Sequence, residues 1–278
     1  MKFGLDKESA RPTPMSSIDL LLSDDTPLGE EEAKWVKACL GALHHFIRST
    51  RWDIAAAVSF MSQFNATPTV GAKLALHYLG GYLVENPDLK ISAIRADSPD
   101  VFSHFTDSGF YTMKYSQTGV MVLLNGAPIH WKSRKQADVA DSPAVAEIYA
   151  LKDGVKDSRL CQWVAEEMGI KVKWPFTVQV DSKQARSFQF DTCPNSRIRG
   201  SIDMREAWVD ELRNQKIITT EHVCKENQLA DILTKPLKGP DFKRMKSKVV
   251  NFQSHEILGG HMYLIDLCDE FVRTHVTN

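Results

Sequence analysis

The sequence predicts an α/β protein: a mixed five-stranded sheet flanked by helices, preceded by a helical subdomain. Three observations predict it. Apolar residues recur at helical spacing through the first third of the chain. From about residue 100 the period shifts toward strand alternation. Beyond that point come three strands, a helix, a strand, a helix, a strand and a helix, an order that builds a mixed sheet with helices against it.

The elements follow in order. Residues 1–28 read as an extended, polar lead punctuated by Pro12, Pro14 and Pro27. Residues 29–95 read as helical: Val36, Cys39, Leu40, Leu43, Phe46 and Ile47 share one spacing, and Ile54, Ala57, Val58 and Met61 repeat it. Thr67 and Pro68 suit the cap and first turn of a third helix carrying Leu74 and Tyr78. In residues 96–245, DVFSHFTDSGF reads as a strand, and QTGVMVLLNGAPIHW as two strands joined at an Asn-Gly turn. DSPAVAEIYALKDGVKDSRLCQWVAEEMGI reads as one long helix capped by Ser142, begun by Pro143 and stopped by Gly169. KWPFTVQVD alternates Phe176, Val178 and Val180 into a strand ending at Asp181, with a helical stretch after it. IITTEHV is a further strand and NQLADILTK a closing helix. The tail, 246–278, holds Ile257, Tyr263, Leu264 and Leu267 at spacing that suits one more amphipathic helix.

Composition bounds the class. With 43% hydrophobic and 25% charged residues, 278 residues make an ordinary globular chain, and no apolar run nears the ~18 residues of a membrane span. The first residues, MKFGLDKESARPTP, lack the apolar core of a signal peptide, so the chain reads as intracellular, cytoplasmic or nuclear. Cys39, Cys161, Cys193, Cys224 and Cys268 stand singly, which argues against a disulfide framework and a zinc site. A formal net charge of -1 neither demands nor excludes a nucleic-acid partner.

Four acids stand where their neighbours are apolar. Asp107 interrupts a strand, and Asp181 ends one. Glu147 falls on the long helix in the stripe of Ala144, Ile148, Leu151 and Val155. Asp231 sits in the apolar run of NQLADILTKPL. Any one alone reads as a capping or hydrogen-bonded residue, because a carboxylate among apolar neighbours needs a partner. Four together point further: clustered carboxylates cannot all stay ionised without compensation, and the usual compensation is a hard divalent cation.

Several segments carry a resemblance. SRKQADVADSPAVAEIYAL and NQLADILTKPL resemble segments of copia-type retrotransposon polyproteins, the second almost letter for letter. ARPTPM, LGALHHFIRSTRWDIAAAVSFMSQF and SQTGVMVLLNGAPIHWKSRKQ resemble earlier segments of the same family in the same order. The likeness runs from about residue 11 to about residue 245 and covers the family's connection and ribonuclease H regions.

This resemblance implies a ribonuclease H-like fold after an N-terminal helical connection subdomain. It carries four catalytic, metal-holding acids onto this chain: Asp107 in FTDSGF, Glu147 in VAEIYAL, Asp181 in VQVDSKQA and Asp231 in LADILTKP. It implies hydrolysis of the RNA strand of RNA/DNA hybrids with two Mg2+ ions, Mn2+ substituting, one activating water and the other stabilising the leaving 3′ oxygen. The implied partners are the hybrid and an upstream reverse transcriptase domain of the same polyprotein. Lys132, Arg134 and Lys135 in WKSRKQ, and Arg197, are the candidate substrate contacts, with a solvated surface charge as the plain alternative for each. Gly109 stands where the family has a second Asp, and Arg199, Gly200 and Ser201 replace a Lys-His pair. His222 reads as a packed strand residue, and Asp24 and Asp25 as turn or capping residues. The alternative to a nuclease is a remnant that keeps the fold and binds nucleic acid or protein without cutting.

Overall fold

The computed structural model describes residues 8–87, 91, 101–111, 113–187 and 204–250. Arg197 and the tail beyond residue 250 lie outside the described residues.

The helical period of the first third becomes α1 (Ile18–Leu22), α2 (Glu30–Ser49), a 3-10 turn (Trp52–Ile54), α3 (Ala55–Ser62) and α4 (Val70–Glu85). In α2 the stripe Val36, Cys39, Leu40 and Leu43 is buried, while Phe46 is exposed and Ile47 partly buried. The lead is thus not extended throughout, because α1 lies within it and buries Leu21 against α4. The third helix starts later than Thr67-Pro68 suggests. Its cap is Thr69, whose side chain accepts a hydrogen bond from the Ala72 amide. The reason is tertiary: Leu28 N–H donates to Pro68 O at 2.9 Å and Pro27 bridges Thr69, so this stretch is held extended against the lead. Leu74 is exposed on this helix.

The alternating region becomes β1 (Phe102–Gly109), β2 (Gln117–Leu124) and β3 (Ala127–Lys135), an antiparallel meander. Asn125 and Gly126 both take positive φ, 50° and 81°, as a two-residue turn between right-twisted strands requires. Helix α5 (Pro143–Glu167) runs from the Ser142 cap, whose side chain accepts from Val145 N–H, to Gly169 at φ 79°. Then come β4 (Phe176–Val180), α6 (Lys183–Ser187), α7 (Met204–Asn214) and β5 (Ile218–His222). The sheet order is β3-β2-β1-β4-β5, with β1, β4 and β5 mutually parallel. This mixed five-stranded sheet flanked by helices has the ribonuclease H-like architecture.

The closing segment differs from expectation. NQLADILTK forms a 3-10 turn over Leu229–Leu233, all five residues buried, and the α-helix is the later α8 (Gly239–Val250). Pro236 bars the preceding residue from continuing a helix, so a short 3-10 piece is what this sequence can form. His222 is on β5, as read, but it is exposed and not packed.

Two apolar clusters cover the two faces of the sheet. On one, Leu151 and Val155 of α5 and Val209 and Leu212 of α7 pack on Phe176, Val178, Val180 and Ile218. On the other, the N-terminal helices, the 3-10 turn and α8 share one core with Phe105, Met121 and Leu123. Each fully buried Leu or Phe there is worth about 1.5–3 kcal/mol against exposure. Among the described residues, no helix is long and apolar enough to cross a membrane.

Candidate metal centre

The parallel pairing of β1 with β4 sets His104 beside Val178 and Phe105 beside Gln179. Continuing that register brings Asp107, late in β1, alongside Asp181, just past β4. Glu147 comes from the second turn of α5, where Ile148 and Leu151 anchor the helix and leave the acid partly buried. The ligand oxygens of Asp107, Glu147 and Asp181 all lie within 4.8 Å of one another. This acidic triad, Asp107 buried and the other two partly buried, can hold a metal ion. Its donors are all oxygens, the set suited to a hard divalent cation.

Asp231 stands beside the triad, 2% exposed, on the 3-10 turn packed on β1 and β2. Its Oδ1 is 2.7 Å from Lys235 Nζ, which lies 3.8 Å from Asp107 Oδ2. That ammonium is the partner of Oδ1, a buried carboxylate oxygen with no other donor among the described residues. Thr234 Oγ1 donates to Asp107 Oδ2 at 2.5 Å.

The electrostatics follow from crowding. Burial pushes the Asp107 carboxyl well above its ordinary value; Asp231 and Asp181 add to the rise, and Lys235 and Thr234 oppose it. Burial, then Asp107 and Asp181, raises Glu147 to about 9. Burial and Asp231 raise Asp181. For Lys235, burial pulls down but Asp107 and Asp231 overcome it, so the ammonium is held charged. Protons and one ammonium are a partial answer to four carboxylates, and a divalent cation is a better one.

Several positioning residues escaped the sequence reading. Gln228 donates to Thr106 O at 2.9 Å and accepts from Ala230 N–H, tying the 3-10 turn to the residue before Asp107. Gln136 donates to Ala146 O at 2.9 Å, the residue before Glu147, and to Thr118 Oγ1. Gly119, paired with Asp107 across the sheet, lets the turn approach: a Cβ there would fall 2.6 Å from Thr234 Cγ2 and 2.8 Å from Ala230 O. Both glutamines and Thr234 sit inside the motif-like segments, and that membership was the only signal for them. Of the substrate candidates, Lys132 is ion-paired with Asp157 at 3.1 Å and Asp153 at 3.3 Å. Arg134 and Lys135 are exposed, with the Lys135 ammonium 4.4 Å from the centre of the Tyr115 ring.

Fold and site together define a class: a ribonuclease H-like α/β protein with a buried carboxylate cluster at the parallel strand ends. The particular lineage comes from comparison with known proteins. The retrovirus-related Pol polyprotein from transposon RE1 of Arabidopsis thaliana is 30% identical over 254 residues, 87% of this chain and 16% of that protein. The corresponding polyprotein from transposon RE2 of the same plant is 28% identical over 249 residues, 87% of this chain and 17% of its own length. That from transposon TNT 1-94 of Nicotiana tabacum is 26% identical over 219 residues, covering 76% of this chain and 16% of that protein. The chain is therefore a relative of retrotransposon Pol polyproteins over most of its length, and it spans about a sixth of theirs. No family model matches it, and no solved structure does.

Proposed function

We propose that this chain is a metal-dependent ribonuclease H of a copia-like retrotransposon polyprotein, hydrolysing the RNA strand of RNA/DNA hybrids. The observation that carries the reading is the convergence of Asp107, Glu147 and Asp181 within 4.8 Å, with Asp231 ion-paired through Lys235 alongside. Residues 29–95 serve as the connection to an upstream reverse transcriptase domain, and 96–245 as the nuclease.

Each residue has a defined task. Asp107, Glu147, Asp181 and Asp231 would hold two Mg2+ ions, for which Mn2+ could stand in. Those ions, when bound, supply a polarised water and a stabilised leaving oxygen for in-line displacement at phosphorus. Gln228, Gln136 and Thr234 fix the backbone and side-chain positions of Asp107 and Glu147, since a ligand set acts only when its geometry is held. The products carry a 5′ phosphate and a 3′ hydroxyl. Selection for RNA rests on 2′-hydroxyl contacts across a wide minor groove, with Arg134 and Lys135 available to phosphates.

The test is cleavage of an end-labelled RNA/DNA hybrid by the purified chain in Mg2+ or Mn2+, with EDTA as control. Metal-dependent loss of the RNA strand alone is the expected result. Folded protein that cuts in neither metal overturns the nuclease reading in favour of a fold remnant that binds without cutting.

A further inference from the structure

Metal ligation accounts for four carboxylates and leaves a lysine unexplained. The Lys235 ammonium lies between two of them, 2.7 Å from Asp231 Oδ1 and 3.8 Å from Asp107 Oδ2. Both carboxylates are buried, whereas the lysine side chain is 33% exposed. The two residues before it are held at the same place: Leu233 O accepts from Ser133 Oγ at 2.6 Å, and Thr234 Oγ1 donates to Asp107 Oδ2. The lysine thus follows an anchored segment, is charged at its tip, and keeps a third of its side chain exposed.

An ammonium in that position does part of what a divalent cation would do. It neutralises one unit of the repulsion between Asp107 and Asp231, and it is the ion-pair partner of the otherwise undonated Asp231 Oδ1. It is also a weaker answer than a dication, carrying one charge and offering no coordination sphere. Because the side chain is flexible and a third exposed, its head can turn out to water while its backbone stays in place.

We propose that Lys235 is a tethered counter-cation of the acidic cluster, holding Asp107 and Asp231 together until a divalent cation displaces its ammonium. This rests on the metal-centre reading and adds to it a built-in competitor, so that metal binding includes the release of a lysine head. The lysine is a positioning residue and not a metal ligand.

The experiment is thermal unfolding of the full chain in EDTA and in saturating Mg2+, for the parent, Lys235→Met and Lys235→Arg, with binding calorimetry of Mg2+ alongside. Methionine keeps an aliphatic stem and removes the charge. In EDTA, Lys235→Met is expected to melt about 5 °C or more below the parent, and Mg2+ closes most of the gap. Its metal-induced rise in Tm is therefore larger than the parent's, and its Mg2+ affinity is about 10-fold tighter for loss of one repelling charge. Lys235→Arg, which keeps the charge, shows a rise like the parent's. Equal metal-induced rises in Lys235→Met and the parent overturn the inference and leave the metal centre standing. A Met variant that is unfolded in EDTA but folds in Mg2+ supports it, and one unfolded in both overturns it, since the metal then does not replace the lysine. No rise and no binding heat in the parent overturn the metal centre itself, and this inference with it.

Discussion

Asp53 and Asp107 are both 1% exposed, and the protein treats them in opposite ways. Asp53 receives Arg51 Nε and Nη2, each at 2.9 Å, and the Tyr82 hydroxyl at 2.6 Å. Arg51 also donates to Asn86 O, and Lys246 of α8 donates to Tyr82 Oη and to Asn86 Oδ1. Every charge in that cluster has a partner, and the cluster ties α4 to α8. Asp107 receives Thr234 and a lysine at 3.8 Å, and has three other acids around it. Equal burial therefore says nothing of role. The balance of fixed cations and donors around the carboxylate does: a matched cluster is a clamp, and a deficient one is a site that a cation can complete.

The largest effect should come from breaking the matched cluster. Arg51→Ala leaves the buried Asp53 carboxylate with the Tyr82 hydroxyl as its remaining donor, and removing one partner of a buried pair costs about 3–5 kcal/mol. Urea unfolding should show that loss as a lower midpoint. A change under about 1 kcal/mol would mean that the cluster is no clamp.

The deficient cluster should respond in activity, with little change in fold. Asp181→Asn removes a ligand's charge at nearly constant volume, so RNA-strand cleavage should fall by more than about 100-fold, beyond what loss of a mere supporting residue costs. Its melting temperature in EDTA should stay near the parent's, because one source of like-charge repulsion is gone. Parent-like cleavage by this variant would remove Asp181 from the site.

How much of this contrast could be read in the sequence is clear from the two aspartates. The signal that picked out Asp107, Asp181 and Asp231, an acid among apolar residues, is equally present at Asp53 in RWDIAAAV, where only a helical period was noticed. The saturating partners include Tyr82 and Lys246, distant in sequence, and no local pattern announces them. The succession of strands along the chain, the long helix and its cap were legible because they rest on period, turn and cap chemistry within a few residues. The Thr69 cap and the 3-10 turn at Leu229–Leu233 were not, because each is set by contact with another segment. Gln136 and Gln228 are the same case: a glutamine in a sequence says nothing of the carbonyl it will reach.

A substitution at Gly119 sharpens the comparison from the backbone side. A methyl group there meets Thr234 Cγ2 and the Ala230 carbonyl, and the second is main chain that cannot turn aside. Gly119→Ala should cost about 1–3 kcal/mol by overpacking and should lower cleavage too, because Thr234 is bonded to Asp107. Stability loss with cleavage unchanged would show that the turn tolerates displacement.

The last test is a pH dependence, whose sign separates the acids from other buried groups. Burial, with Asp107 and Asp181, raises Glu147 from 4.5 to about 9, so the folded protein holds that proton more tightly than the unfolded chain does. Its contribution to stability is fully present below 4.5 and is lost as pH rises through about 9. His104 runs the other way: burial lowers it from 6.5 to about 4, so its contribution is present above 6.5 and is lost as pH falls toward 4. Melting in EDTA should therefore decline on both sides of a middle range. Glu147→Gln should flatten the alkaline decline and leave the acid one alone, since His104, on β1, meets Gln162 of α5 and not the acids. Mg2+ should also blunt the alkaline decline in the parent, because it favours the ionised carboxylates that alkali creates. If the alkaline limb were unchanged by Glu147→Gln, the crowded acids would not be its source.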